Sequence, residues 1–288
     1  MKFSLLYLIL LIFLLLSFKC FAVVDDTTDS VVSVNTKTSI KSKNELQDMS
    51  DPLAVYTQLG TGITNKGLNF KVGKTYDTHN PETAAMNIIE LKGIMGENLG
   101  WTGNNQRDNS IDSFRLRNFG INLTNGHAHQ LDINYNLDGN TIAKQTADIS
   151  YSFIQALPKL GPITFYPLAG AGVSIGEDAK ETCNETGPAT CIDGGFSTMG
   201  VFGVIGMYSK LEITKKLWIN YNPMWLTTIA GDVNYEDNYY GGHGVIFTHE
   251  FAISYQFTPR FNVRYYANWS NQTSFLDGDQ RIEVNYQL

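Results

Sequence analysis

The chain has 288 residues, of which 17% are charged and 12% aromatic, and its formal net charge is −7. This acidic balance argues against a nucleic-acid partner, because no basic stripe is present for phosphates to follow. Its three cysteines lie outside any metal-ligand spacing, so we expect neither a metal site nor a cofactor.

Residues 1–22 are typical of a secretory signal peptide. An apolar run from Leu5 to Phe18 is followed by small residues at Cys20 and Ala22, as at an A-x-A-type cleavage site. The run is shorter than the ~20 residues of a membrane-spanning helix. We expect cleavage after Ala22, which changes the net charge from −7 to −9 by removing two lysines. An uncleaved anchor and a lipoprotein built on Cys20 are the alternatives, and Lys19 argues against the second.

A change of composition divides the rest of the chain. Residues 23–51 are polar and contain no aromatic residue and no glycine, which predicts a flexible leader on the periplasmic side. Residues 52–288 hold all the glycine and every remaining Trp, Tyr and Phe. We therefore predict a single folded domain over 52–288.

Alternation with a period of two dominates this domain, and helical periodicity is nearly absent. In the stretch QLDINYNLD, Leu131, Ile133 and Tyr135 alternate with Asp132 and Asn134. Such a pattern predicts strands with one apolar and one polar face, and hence an all-β fold. Twelve candidate strands result, although ten remains possible: 53–63, 68–77, 85–95, 112–124, 129–138, 142–156, 163–176, 197–213, 217–231, 245–257, 261–271 and 281–288.

Strand and loop lengths separate a barrel from a soluble sandwich. Many candidate strands reach ten residues or more, the length that a tilted strand needs to cross a bilayer. Tight turns at 124–126, 214–216 and 258–260 follow even strands, while the long polar loops, such as 177–195 and 232–244, follow odd strands. This predicts an antiparallel up-and-down transmembrane β-barrel with one rim of short turns and one of long loops.

Two places disturb the alternation. A phase slip near Asn118 and Phe119 suggests a β-bulge. Pro223 lacks a ladder donor, so it suggests a local bulge or bend in its strand.

The cleavable signal, the strand YPLAGAGVSIG and the alternating final strand together resemble bacterial outer-membrane β-barrel proteins of the porin and opacity type. The resemblance implies an outer-membrane location, contact with outer-membrane lipid and lipopolysaccharide, and recognition of the last strand by the barrel assembly machinery. That assembly signal would comprise Ile282, Val284, Tyr286 and Leu288, although such strands usually end in Phe or Trp. We expect a monomer or a weak homo-oligomer.

Charged residues on the polar faces are the candidate functional residues. Basic and acidic groups nearly balance, which fits either a pore with opposed charged walls or a lumen filled by ion pairs. The predicted lumen-lining residues are Lys71, Glu90, Lys92, Arg115, Arg117, Asp132, Asp148, Lys210, Glu212, Glu250, Arg264, Arg281 and Glu283. The sequence favours a narrow passive channel for small polar solutes, with a plugged barrel acting through its outer loops as the alternative.

A lipid-modifying enzyme is the third alternative. Such an enzyme needs a base within reach of its nucleophile, and no histidine here has a serine two residues after it, as known barrel phospholipases do. His249 and Ser254 are the best available pair, and we predict no catalytic residue.

The loops add two smaller predictions. Cys183 and Cys191 lie among turn-forming residues in an exported chain, so we predict a disulfide between them. Glu177, Asp178 and Glu181 form an acidic cluster that fits solvated loop charge better than a site for divalent cations that bridge lipopolysaccharide.

Overall fold

The computed structural model describes residues 46–96, 111–182 and 190–288, and gives only the backbone for 181, 182 and 190–193. The chain divides into two units, Met1–Lys37 and Thr38–Leu288, and every described residue belongs to the second. Among the described residues, no helix is long and apolar enough to cross a membrane.

Twelve antiparallel strands form one closed barrel, in which each strand pairs with its neighbours in the chain and β1 pairs with β12. The predicted fold and strand count are therefore confirmed. In the part of the chain that the structure describes, one short helix, α1 (Val233–Asn238), lies between β9 and β10. The strands are β1 (Gln58–Thr64), β2 (Leu68–Tyr76), β3 (Thr83–Ile94), β4 (Ser113–Asn122), β5 (His127–Asn136), β6 (Gln145–Gln155), β7 (Ile163–Thr182), β8 (Thr190–Glu212), β9 (Leu217–Gly231), β10 (Val245–Thr258), β11 (Phe261–Ser270) and β12 (Asp279–Gln287).

The seam between β1 and β12 closes the barrel. Gln58 lies opposite Gln287 and Thr64 opposite Arg281, without a register shift. Ile282 and Tyr286 of β12 point outward, whereas Glu283 is buried. Closure matters because an open strand edge in lipid would leave backbone N–H and C=O groups without hydrogen bonds.

The two rims differ as predicted. Short turns follow β4, β8 and β10 at one end, here called the short-turn rim, and longer connections follow β3, β9 and β11 at the other, the long-loop rim. The predicted loop 177–195 is wrong for much of its length, because the β7–β8 hairpin continues to the pair Thr182 and Thr190. A register shift beside Asp178, whose φ is 50°, interrupts the ladder there. The shift breaks the alternation of the sequence, so the strand was predicted to end before it.

The outer face of the wall is apolar. Large hydrophobic side chains are exposed on this face all around the barrel, while the buried side chains of the lumen face are largely polar. Because exposure of so large an apolar surface to water is unfavourable, the outer face of the wall suits a hydrocarbon environment. Outward residues include Leu59, Phe70, Val72, Ile89, Leu131, Tyr151, Ile205, Trp225, Ile253 and Ile282.

Aromatic rings gather toward both rims on this outer face. Near the short-turn rim, Phe257 contacts Tyr255 at 4.8 Å and Phe261 at 5.9 Å between ring centroids. Toward the other rim, His249 stacks on Trp269 at 4.9 Å. Two such belts are typical of barrels whose ends lie at the membrane–water interfaces.

The bulge predicted at Asn118 and Phe119 is absent, since β4 keeps its register with both neighbours there. Asn118 points outward and donates to Tyr76 Oη and Asn87 Oδ1, each at 2.8 Å. Phe119 points inward and is buried. The phase slip therefore reflects a polar residue on the outer face and an aromatic one on the lumen face.

Pro223 interrupts the ladder without a bulge. The β8–β9 register is the same on both sides of it, from Gly206 opposite Met224 to Lys210 opposite Asn220. In the gap, Ser209 N–H donates to Asn222 Oδ1 at 3.1 Å, and the Asn220 amide donates to Ser209 O at 3.0 Å. The side chains of Asn222 and Asn220 thus replace the backbone bonds of Ser209 in the part of the ladder that is interrupted beside the proline.

Gly172 in β7 is required by close packing. A Cβ at this position would lie 2.5 Å from Ile149 O and 2.6 Å from the Phe202 ring. We expect Gly172→Val to lower the free energy of unfolding by about 1–3 kcal/mol through overpacking. Urea unfolding of the refolded barrel, followed by tryptophan fluorescence, measures this loss. Gly194→Val is the control, since a Cβ there meets nothing within 4 Å, and equal losses in both variants would contradict the expectation.

Candidate lumen site

The chain before β1 enters the barrel. Residues 46–57, called here the lumen segment, fold into two turns capped by aspartates, in which Asp48 Oδ1 accepts from Ser50 N–H and Asp51 Oδ1 from Leu53 N–H, both at 2.9 Å. The sequence predicted residues up to 51 as a flexible leader and a strand from 53. Both boundaries change here, because β1 begins only at Gln58.

Apolar side chains of the lumen segment are buried against the barrel wall. Met49 and Leu53 are each 3% exposed and Tyr56 is 8% exposed. Leu53 belongs to an apolar cluster on the lumen face, which fills this part of the barrel. Its other buried members are Met86, Ile88, Phe119, Ala128, Ile154, Tyr166, Leu168 and Val204.

Polar contacts fix the same segment to the wall. Lys210 Nζ lies 3.1 Å from Asp48 Oδ2, and the Arg264 guanidinium donates to Met49 O at 2.5 Å. Tyr166 Oη donates to Asp51 Oδ1 at 3.1 Å. Burial acts to raise the pKa of the Asp48 carboxyl, but hydrogen bonds from Ser50 and the Lys210 charge outweigh it and lower that pKa. Burial raises the pKa of the Asp51 carboxyl.

Three clusters of ion pairs line the middle of the lumen. Glu283 lies 2.5 Å from Lys71 Nζ and 3.6 Å from Arg281 Nε, and it also accepts from Asn69 at 3.1 Å. The other two clusters involve β3, β4 and β5. In them Glu90 pairs with Arg117 and lies 3.8 Å from Lys92, and Asp132 Oδ1 accepts from Arg115 Nε at 2.8 Å.

These side chains and the lumen segment border a partly open cavity of about 170 Å³. Met49, Asp51 and Tyr56 close part of it, together with wall residues such as Tyr208 and Tyr266. A space of this size holds several water molecules or a small polar solute. The predicted lumen residues that line it are Lys71, Glu90, Lys92, Arg115, Arg117, Glu250, Arg264, Arg281 and Glu283.

The other four predicted lumen residues lie elsewhere. Asp132 is buried behind Arg115, and Lys210 contacts the lumen segment. Asp148 lies near the long-loop rim, where it accepts from Ser174 Oγ at 2.5 Å and from Tyr239 Oη at 2.6 Å. Glu212 does not face the cavity, because it forms a largely exposed pair with Lys159 at 2.8 Å at the short-turn rim.

The β9–β10 connection folds against the wall near the long-loop rim. Asp232 caps the N-terminus of α1, and Tyr235 of this helix donates to Ser174 Oγ at 3.1 Å. Tyr235 and Tyr239 pack with Ile142 and Met199 in a second apolar cluster. Both ends of the lumen are therefore narrowed, one by the lumen segment and the other by this connection.

The best catalytic pair in the sequence does not form. His249 points outward, where its Nδ1 lies 2.7 Å from Tyr221 Oη, whereas Ser254 is buried on the lumen face. Residues on opposite faces of a strand cannot act as base and nucleophile for one substrate. The pairing of Cys183 with Cys191 stays a prediction, because Cys183 and the side chain of Cys191 lie outside the described residues.

The acidic loop cluster is partly described. Lys144 Nζ lies 3.7 Å from Glu177 Oε1 and 3.9 Å from Asp178 Oδ2, and its side chain is exposed. The side chain of Glu181 lies outside the described residues. The lysine beside these carboxylates agrees with solvated loop charge.

No protein-family model matches the chain, and no curated protein sequence matches it. Solved structures similar to it include the NanC porin, at 9% identity over 81% of this chain and 100% of that one, with a TM-score of 0.47. The KdgM porin in complex with disordered oligogalacturonate is 7% identical over 81% and 99% of the two chains, with a TM-score of 0.44. The translocator domain of the autotransporter NalP from Neisseria meningitidis is 11% identical over 84% and 92%, also with a TM-score of 0.44.

The lumen segment is the main feature that the sequence pattern did not reveal. One signal for it was present, since Met86, Ile88 and Phe119 are apolar residues on the face that should be polar in an open pore. Apolar residues facing the lumen require something apolar to cover them, and Leu53 does so.

Proposed function

We propose that the chain is a bacterial outer-membrane barrel that forms a narrow passive channel for small polar solutes, closed in this conformation by the lumen segment. The observation that carries the proposal is the charged cavity of about 170 Å³ inside a closed barrel whose outer face is apolar. Charged and amide side chains suit transient contacts with polar solutes in transit.

The way in which the lumen segment is held supports reversible closure. Its backbone forms turns of its own, such as Ala54 N–H to Asp51 O at 3.1 Å, rather than a strand of the barrel. Its departure would break one backbone bond beside the seam, from Leu288 N–H to Thr57 O at 3.0 Å, and would leave the β1–β12 ladder from Gln58 to Thr64 paired. In this proposal the short-turn rim and the lumen segment face the periplasm.

A second candidate is a permanently plugged barrel that acts through its outer loops. The narrowing at both ends and the ion pairs that fill the middle of the lumen favour it. Removal of the lumen segment has a different effect in the two candidates, because only a closed channel then gains an open path.

Removal of residues 46–57 from the full chain is therefore the test. We expect the refolded variant to show steady single-channel conductance in planar bilayers, whereas the unaltered protein opens rarely. Removal of residues 24–35, an equal length of the polar leader, serves as the control and should leave the protein closed. A variant that folds but stays electrically silent would contradict the channel and favour the plugged barrel.

A further inference from the structure

The lumen cations fall into two groups by partner. Lys71, Arg115 and Arg117 pair with carboxylates of the wall itself. Lys210 and Arg264 instead contact oxygens of the lumen segment, at Asp48 Oδ2 and Met49 O. In the part of the chain that the structure describes, neither lies within ion-pair distance of a wall carboxylate.

Departure of the lumen segment would remove the oxygens of Asp48 and Met49 from these two cations, while Arg264 would keep its contact to the Tyr266 hydroxyl at 3.2 Å. Lys210 is 8% exposed with the segment in place and contacts it through Asp48, so departure of the segment would expose its ammonium group to the lumen. Arg264 is held over the Trp218 ring at 5.6 Å, and its buried Nε has no hydrogen-bond partner among the described residues. The open state therefore presents two oriented cations that lack an anion.

The chemistry of Lys210 and Arg264 defines the kind of ligand that could bind in place of the lumen segment. A guanidinium presents a planar set of donors that fits the two oxygens of a carboxylate or phosphate, and an ammonium adds a point charge. Their present partners belong to adjacent residues, so both cations reach one small region of the lumen. The Asp48 carboxylate already occupies part of this region, as an anion supplied by the chain itself.

We propose that Lys210 and Arg264 form a recognition site for small oxyanions, and that an oxyanion and the lumen segment compete for it. The inference rests on the proposed channel, since it names the solute class and the event that opens the path. Anion binding stabilises the open state by replacing the contacts of Asp48 and Met49, so a solute of this class promotes its own passage.

Single-channel recording of the full refolded protein tests the site. Potassium phosphate in one arm and potassium gluconate in the other replace part of the potassium chloride at constant ionic strength, which separates phosphate from carboxylate recognition. We expect one or both to raise the open probability by about tenfold, the effect of a tenfold difference in affinity between the two states. Asp48→Asn should shift this response to lower anion concentration, because it removes the competing carboxylate.

A double variant of the site and a control variant at the rim test whether the anion response depends on Lys210 and Arg264. Lys210→Gln combined with Arg264→Gln should abolish the response to both anions, whereas Lys159→Gln, which alters an exposed pair at the rim, should leave it unchanged. Folding of each variant is checked by its heat-dependent shift on gels. A double variant that still responds would overturn the site. If neither anion changes the open probability but the variant lacking residues 46–57 conducts, the oxyanion site is contradicted and the channel is still supported. If the variant lacking residues 46–57 folds but does not conduct, the channel itself is contradicted.

Discussion

Replacing Glu283 by glutamine is expected to lower the free energy of unfolding of the barrel by about 3–5 kcal/mol, the usual cost of breaking a buried ion pair from one side. Glu283 is 2% exposed and contacts both Lys71 and Arg281. Glutamine keeps the shape of the side chain but leaves two lumen cations facing a neutral group. Urea unfolding of the protein refolded in lipid vesicles, followed by tryptophan fluorescence, measures the loss.

Glu212→Gln is the matched control for this variant. Glu212 also pairs with a lysine, but the pair lies at the short-turn rim, where the side chains of Lys159 and Glu212 are 52% and 33% exposed. Exposed pairs of this kind contribute about 0–1 kcal/mol. Equal losses from the two variants would show that the ion pairs of the lumen add no more stability than those of the rim.

Much of the architecture could be predicted because lipid and lumen impose opposite chemistry on alternate residues. In β12, Ile282, Val284 and Tyr286 face outward while Glu283 and Asn285 are buried, as their alternation indicates. The predicted bounds of β9 and β11 were close for the same reason. Turn lengths then fixed which rim each connection belongs to.

Position along the lumen could not be predicted in this way. Alternation assigns Glu212 to the same face as Lys210, but not to the exposed rim that it occupies. It also cannot distinguish an apolar residue that meets lipid from one that meets another segment inside the barrel. Leu53 continues the alternation of β1 into a stretch that the barrel leaves unpaired, so a strand was predicted where the lumen segment lies.

Introduction of a charge at that residue, Leu53→Asp, is expected to convert the closed protein into a conducting one. Leu53 is 3% exposed and packs in the apolar cluster with Phe119 and Leu168. An unpaired carboxylate in this cluster would be strongly disfavoured, and the lumen segment can avoid the cost by leaving the lumen. The barrel can stay intact, because the segment contributes no strand to it.

Single-channel recording gives the direct measurement for Leu53→Asp, with an expected rise in open probability of at least about a hundredfold, since burial of an unpaired carboxylate costs several kcal/mol. Leu160→Asp is the control, since that leucine is 65% exposed in the β6–β7 turn of the same rim. A further arm adds Arg115→Ala and Arg117→Ala to the open variant. Loss of these two cations from the cavity wall should shift its ion selectivity toward cations. If the open variant keeps its selectivity after this change, the current does not pass along the charged wall that encloses the cavity.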